Sequence, residues 1–142
     1  MTERSRISQL SGALQAETHI TSILSAALPE EIVMFKNSFD APVKIISVDV
    51  TFDTDLTGRA TNHVSLQIRN KGTAGSGTKA VTLAKPFDDT IDADAFVPNA
   101  QVLGVDADLT VLPGEVLALN KGEVGTGQPV PSGVVTIGFQ FV

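Results

Sequence analysis

Four aspartates crowd one short stretch of the chain: Asp88, Asp89, Asp92 and Asp94, set around Ile91. Several carboxylate oxygens on one flexible loop are what Ca2+ binding asks for. The stretch lacks the central glycine and closing glutamate of an EF-hand loop, and a run of like charges is more commonly a solvated loop. The four residues are therefore candidate cation ligands set against that plainer reading, and no metal or other cofactor is expected. Asp53 and Asp55 flank a strand end and reach the cluster only if folding brings them there.

Other constellations fall short of a reaction. Gly72 to Lys79 reads G-x-x-x-x-G-T-K. A phosphate loop needs Gly-Lys-Thr/Ser followed by a helix, so the order is wrong. His19 and His63 are the two histidines and lie in different segments; a metal centre needs three or four converging ligands. His63 is expected on the polar face of its strand, at the surface. With no Cys there are no thiolate ligands, thiol nucleophiles or disulfides. No G-x-S-x-G is present to hold a serine nucleophile. With sixteen acids a glycosidase pair can always be drawn, but the chain has no Trp or Tyr, and its seven Phe read as core. An enzyme is not expected.

The whole composition agrees. A chain of 142 residues is one domain's worth, able to bury ~70% of its unfolded surface. Apolar residues make up 42% and charged residues 18%, which excludes a disordered chain. Ten basic against sixteen acidic residues give −6, and no two Lys or Arg are adjacent. Nucleic acid and anionic membranes, which need a basic patch, are not expected as partners. No apolar run approaches the ~18–20 residues of a membrane span, and the N-terminus does not read as a signal peptide.

The elements that position these residues read as strands. Ile46, Val48, Val50 and Phe52 alternate with Ser47, Asp49, Thr51 and Asp53. The same period of two runs through Val64 to Ile68, Val105 to Val111 and Val135 to Phe141. Shorter runs at 32–36, 80–84, 96–103 and 115–120 also read as extended. Turn signals divide them at Asp40-Ala41-Pro42, Gly58, Gly72–Gly77, Pro113-Gly114 and 125–133. About eight strands without βαβ alternation predict an all-β antiparallel sandwich or jelly roll over 31–142. Residues 1–30 read as an N-terminal arm, 1–17, and a short helix, 18–28. Ile20, Ile23, Leu24, Ala27 and Leu28 have helical spacing, Thr18 is a cap and Pro29 a stop. A strand over 19–25 is the competing reading.

One pattern repeats. Asn70-Lys71-Gly72 and Asn120-Lys121-Gly122 each open N-K-G-x-x-G-[ST]-G. The plain reading is a shared flexible exit turn; the sharper one is a duplicated loop at one end of the sandwich, at an interface.

Three segments carry a likeness. Glu31 to Val48 holds a strand ending in Phe39, an Asp-Ala-Pro turn and an alternating Val/Ile strand. Val64 to Gly72 runs into a Gly/Ser/Thr loop, and Leu112 to Leu117 carries a Pro-Gly turn before the strands that close the chain. In this style of strand and turn, 31–142 resembles the capsid decoration (cement) proteins and other small β-sandwich head proteins of tailed phages. The resemblance implies a homotrimer on the outside of the virion capsid, made in the host cytoplasm. Its partner is the major capsid protein, and it stabilises contacts between capsid subunits. Ile7, Leu10, Leu14, Ile20, Ile23 and Leu24 of the N-terminal segment are the candidate partner contacts. The competing readings are a receptor- or carbohydrate-binding module of a fibre or tail, a cupin-like or glycosidase enzyme, and a tail-tube or neck protein.

Overall fold

The computed structural model describes residues 13–20 and 30–142. Within them the chain forms ten strands and one 3-10 turn. The strands are β1 (Leu14–Ile20), β2 (Glu30–Lys36), β3 (Val43–Phe52), β4 (Val64–Asn70), β5 (Lys79–Ala80), β6 (Lys85–Pro86), β7 (Asn99–Ala100), β8 (Thr110–Val111), β9 (Val116–Glu123) and β10 (Gly133–Phe141). One sheet runs β1-β10-β3-β7 with β8 also on β3; the other runs β2-β9-β4-β5 with β6 also on β4. Every pairing is antiparallel. Taking β5 with β6 and β7 with β8 as two interrupted strands, the order is that of a jelly roll, two sheets packed as a sandwich.

The expected alternation builds the core. Val48, Val50 and Phe52 of β3, Val64, Leu66 and Ile68 of β4, and Val135, Ile137 and Phe139 of β10 are all buried. Ile46 departs from the expected set. The register between β3 and β10 slips at Gly138/Phe139, so Ser47 opposes Gly138 and Ile45 opposes Phe139. Ile46 is the extra residue of a bulge, and the phase of the strand flips there. Val43 and Ile45 therefore face the core along with Val48 and Val50. A second bulge at Met34, between Val33 and Phe35, turns Met34 and Phe35 inward and leaves Val33 exposed.

Two expectations are corrected by strand pairing. Residues 14–20, assigned by their spacing partly to an arm and partly to a helix, are strand β1, paired along its whole length with β10. Leu14, Ala16, Thr18 and Ile20 face inward while Gln15, Glu17 and His19 are exposed. The rest of the arm and helix, 1–12 and 21–28, lies outside the described residues. The run Val105 to Val111 is not one strand: a 3-10 turn at Asp106–Asp108 interrupts it, Val105 is exposed, and only Thr110–Val111 pairs, with β3. The runs at 80–84 and 96–103 are likewise cut short: the strands there are Lys79–Ala80 and Asn99–Ala100, with an isolated bridge between Thr82 and Leu103.

Both open sides of the sandwich are tied across the sheets. On one side the Thr18 hydroxyl of β1 donates to the Met34 carbonyl of β2, 2.6 Å away. On the other, Leu83 N–H donates to the Val102 carbonyl at 2.8 Å, and Lys85 Nζ donates to the Ala100 carbonyl at 3.0 Å. Partial burial pushes the Lys85 ammonium below its ordinary value.

One inward-facing position is charged. Lys121 of β9 follows Leu117 and Leu119 on the inner face, opposes Leu66 of β4, and its side chain is fully buried. Its ammonium is ion-paired with Glu123, two residues on along the same strand, itself 9% exposed. A buried pair repays its desolvation only while both members are present. Glu123→Ala is expected to destabilise the fold by about 3–5 kcal/mol, whereas Lys121→Met made together with Glu123→Leu, which removes both charges, costs far less. Urea denaturation of the two variants checks the ordering.

Candidate functional site

The connections divide unequally between the two ends of the sandwich. Tight turns at 37–42 and 112–115 and the glycine loop 71–78 occupy one end. Longer loops, 53–63, 87–98 and 124–132, gather at the other, with all four candidate aspartates.

At the tight-turn end one side chain organises the backbone. Asn37 is fully buried. Its amide donates to the carbonyls of Ala41 at 3.0 Å and Val111 at 2.9 Å, and its Oδ1 accepts from Phe39 N–H at 3.0 Å. Its own backbone N–H donates to Glu115 O, and its carbonyl accepts from Gly114 N–H. Half-buried Phe39 and Phe141 stack nearby, 5.0 Å apart and edge to face.

At the loop end the carboxylates hold loops together. Leu56 and Ala93 form a two-way backbone bridge between loops 53–63 and 87–98. Asp92 Oδ1 accepts from Gly58 N–H at 2.7 Å, and Asp55 Oδ1 accepts from Ala95 N–H at 2.7 Å. Asp53 Oδ2 accepts from the Ser132 hydroxyl at 2.6 Å, tying in the third loop. Folding does bring Asp55 to the loop that carries the cluster, while Asp53 turns to loop 124–132, and each carboxylate meets a different donor. Among the described residues no three acidic or histidine side chains converge as metal ligands. Asp88 is turned back on its own loop, accepting from the Thr90 hydroxyl at 2.6 Å and the Thr90 N–H at 2.9 Å. Those two bonds hold its carboxyl below the ordinary aspartate range.

Gln128 is the counterpart of Asn37 at this end. It is buried, its Oε1 accepting from Val64 N–H at 3.3 Å and its Nε2 donating to the Thr57 carbonyl at 3.0 Å. His63, expected at the surface, is buried, because its residue lies just ahead of β4 where the loops close over it. Its Nδ1 has no hydrogen-bond partner. The two N-K-G copies lie at opposite ends, so they do not form a duplicated loop at one end: Lys71 is paired with Glu31 at 3.0 Å on the outside, while Lys121 is inside the sandwich.

Of the candidate partner contacts, Ile20 is buried in the chain's own core and Leu14 packs half-buried against it, opposite Phe139. They are core side chains of β1, not free contacts. Ile7, Leu10, Ile23 and Leu24 lie outside the described residues. The apolar side chains that face solvent include Leu83, Val102 and Val105 on the flank of the interrupted strands, Phe96 and Val97 on loop 87–98, and Val33, Leu112, Val124 and Val142. Phe96 is 75% exposed and holds φ at +61°, a conformation bulky side chains rarely adopt. Nothing in its alternation distinguished it from the core phenylalanines.

Two measurements test the loop end. A Cβ on Gly58 would sit 1.7 Å from the Asp88 carbonyl oxygen and 2.4 Å from that of Ile91, both backbone atoms. Gly58→Ala is therefore expected to part the two loops and cost about 1–3 kcal/mol, read by urea denaturation. The Asp88 carboxyl titrates below the ordinary ~3.9, so its contribution is fully present above that value and is lost as pH falls through the lowered pKa. Thr90→Ala should return the titration toward the ordinary value, seen by NMR of the carboxyl carbon.

Set beside known proteins, the chain matches no family model, no curated protein and no solved structure, so the sandwich and the geometry of its two ends are what a functional reading has to stand on.

Proposed function

We propose that this chain is a structural virion protein that sits on the outside of a tailed-phage capsid as a homotrimer and stabilises contacts between major-capsid-protein subunits. The observation that carries the reading is the strand order. Two interleaved Greek-key sheets make the jelly roll that recurs in viral capsid domains, and the strand-and-turn style of 31–142 resembles phage head proteins. Fold alone does not assign function, so the surface has to supply the contacts. The exposed apolar side chains of Leu83, Val102 and Val105 on one flank support contact with a protein partner. A small rigid sandwich offers a modest interface, which symmetry multiplies over many copies.

The N-terminal segment enters this reading with a changed boundary. Because β1 begins at Leu14, a truncation that spares the sheet stops at 12, not at 17. Removing 1–12 is expected to leave the thermal midpoint near that of the full chain while weakening co-sedimentation with expanded capsids. Removing 1–17 takes four residues of β1 off β10 and should lower the midpoint sharply. Light scattering of the full chain is expected to give the mass of a trimer. Full co-sedimentation by the 1–12 deletion would remove the role given to that segment, and no co-sedimentation by the full chain would overturn the proposal.

A further inference from the structure

Among the hollows of the described surface are three with separate linings. The largest, about 420 Å3, lies beside β2 and the glycine loop, but its one cation, Lys71, is already neutralised by Glu31 at 3.0 Å. The smallest, about 220 Å3, is walled by Leu83, Pro86, Ile91 and Val102 and offers almost no polar group for orienting a ligand. The third, about 340 Å3, sits at the loop end between loops 53–63 and 124–132 and differs from both. Its size falls in the ~300–1,000 Å3 range of small-molecule sites, and its lining combines an apolar wall with convergent polar groups.

The apolar surface is the rings of Pro129 and Pro131; Leu56 and Val130 also border the hollow but are buried in the core. The polar side is Arg59, Asp55, Thr54 and Thr57. The Arg59 guanidinium and the two threonine hydroxyls have no partner among the described residues. Asp55 gives only Oδ1 to Ala95 N–H, so its other oxygen is available. Gln128, buried in the lining, accepts from Val64 N–H and donates to the Thr57 carbonyl, fixing the two loops against each other. The framework is held by buried bonds while the donors and acceptors facing the opening are unspent.

The set selects a chemistry. A guanidinium fork, a carboxylate oxygen and two hydroxyls serve a ligand that carries vicinal hydroxyls, each both donor and acceptor. The proline rings present flat C–H surface for the apolar face of a ring. Charge sets the remaining term: the three loops carry Asp53, Asp55, Asp88, Asp89, Asp92 and Asp94 against Arg59 alone, a field that repels anions. We infer that the hollow between loops 53–63 and 124–132 is a binding site for an uncharged saccharide, with Asp55 and Arg59 gripping its hydroxyls and Pro129 and Pro131 supporting its ring. The site is open and its side chains exposed, so single-site affinity is weak, with a Kd of about 1 mM. Many copies on one particle would convert that into firm attachment to a glycan-bearing surface, a consequence that rests on the virion reading although the site itself does not.

The test is NMR titration of the isotope-labelled full chain with galactose, glucose, mannose and N-acetylglucosamine, and with galacturonate as the charged comparison. A neutral sugar is expected to shift the amides of 54–59 and 128–131 saturably, and galacturonate to bind at least several-fold more weakly. Arg59→Gln and Asp55→Asn should each weaken binding about tenfold, and Thr57→Val less. Asp55→Asn keeps an acceptor for Ala95 N–H, so the loop stays in place, and unchanged amide shifts elsewhere check this. No saturable shift from any neutral sugar at tens of millimolar would overturn the inference. So would shifts indifferent to both variants, or tighter binding of galacturonate. Capsid co-sedimentation is read separately, so either proposal can fail while the other stands.

Discussion

Two sheets sharing one thin core is the constraint on which the rest of the molecule depends. Each strand turns alternate side chains inward, and the inward set has to fill the same slab from both sides. Where the chain departs from strict alternation, it does so by adding a residue, not by burying a misfit. The bulges at Ile46 and Met34 reset the phase so that Val43, Ile45, Met34 and Phe35 reach the core. Beyond the strands, Leu56, Val81, Phe87, Ala93 and Val130 plug the sandwich from its loops, and Phe87 meets Phe52 edge to face at 6.2 Å.

The same constraint explains the buried polar residues. A sandwich cannot pair the backbone of its long connections within the sheets, and buried backbone groups left unpaired are costly. Asn37 and Gln128 answer this at opposite ends, each spending its amide on backbone partners from different elements. Lys121 is a different case, a charge placed on the inner face itself and held by Glu123. Asp55 and Asp92 act outside the core, one oxygen each, as acceptors for amides of the facing loop.

Much of this was legible in the residues. The period of two in β3, β4 and β10 is carried by Val, Ile, Leu and Phe, so the sandwich was visible, as were its turns. β1 was not, because its inward residues are Leu14, Ala16, Thr18 and Ile20, a weak stripe, and the stronger apolar spacing of Ile20, Ile23 and Leu24 competes with it. The stretch Val105 to Val111 failed for the opposite reason: its alternation is perfect, but tertiary pairing uses only its end. At the loop end, the crowding of aspartates was plain, whereas the amides that Asp92 and Asp55 reach lie 34 and 40 positions away, which no spacing rule encodes. The pairing of Arg59 with a proline-walled hollow likewise arises only when loop 124–132 folds over loop 53–63.

The interrupted strands β5 to β8 leave a mark on the molecule's behaviour in crowds. A sheet margin that runs straight for six or seven residues is a template on which another chain can lay itself down, copy after copy. Here the margin is cut into pairs of residues, with Pro86 ending one of them and the sheets laced together between. Growth of a fibril from that side would first have to unpick the lacing. On that side, though not along the seven-residue margins β1 and β2, copies can stand shoulder to shoulder at high local concentration without sliding into an ordered aggregate.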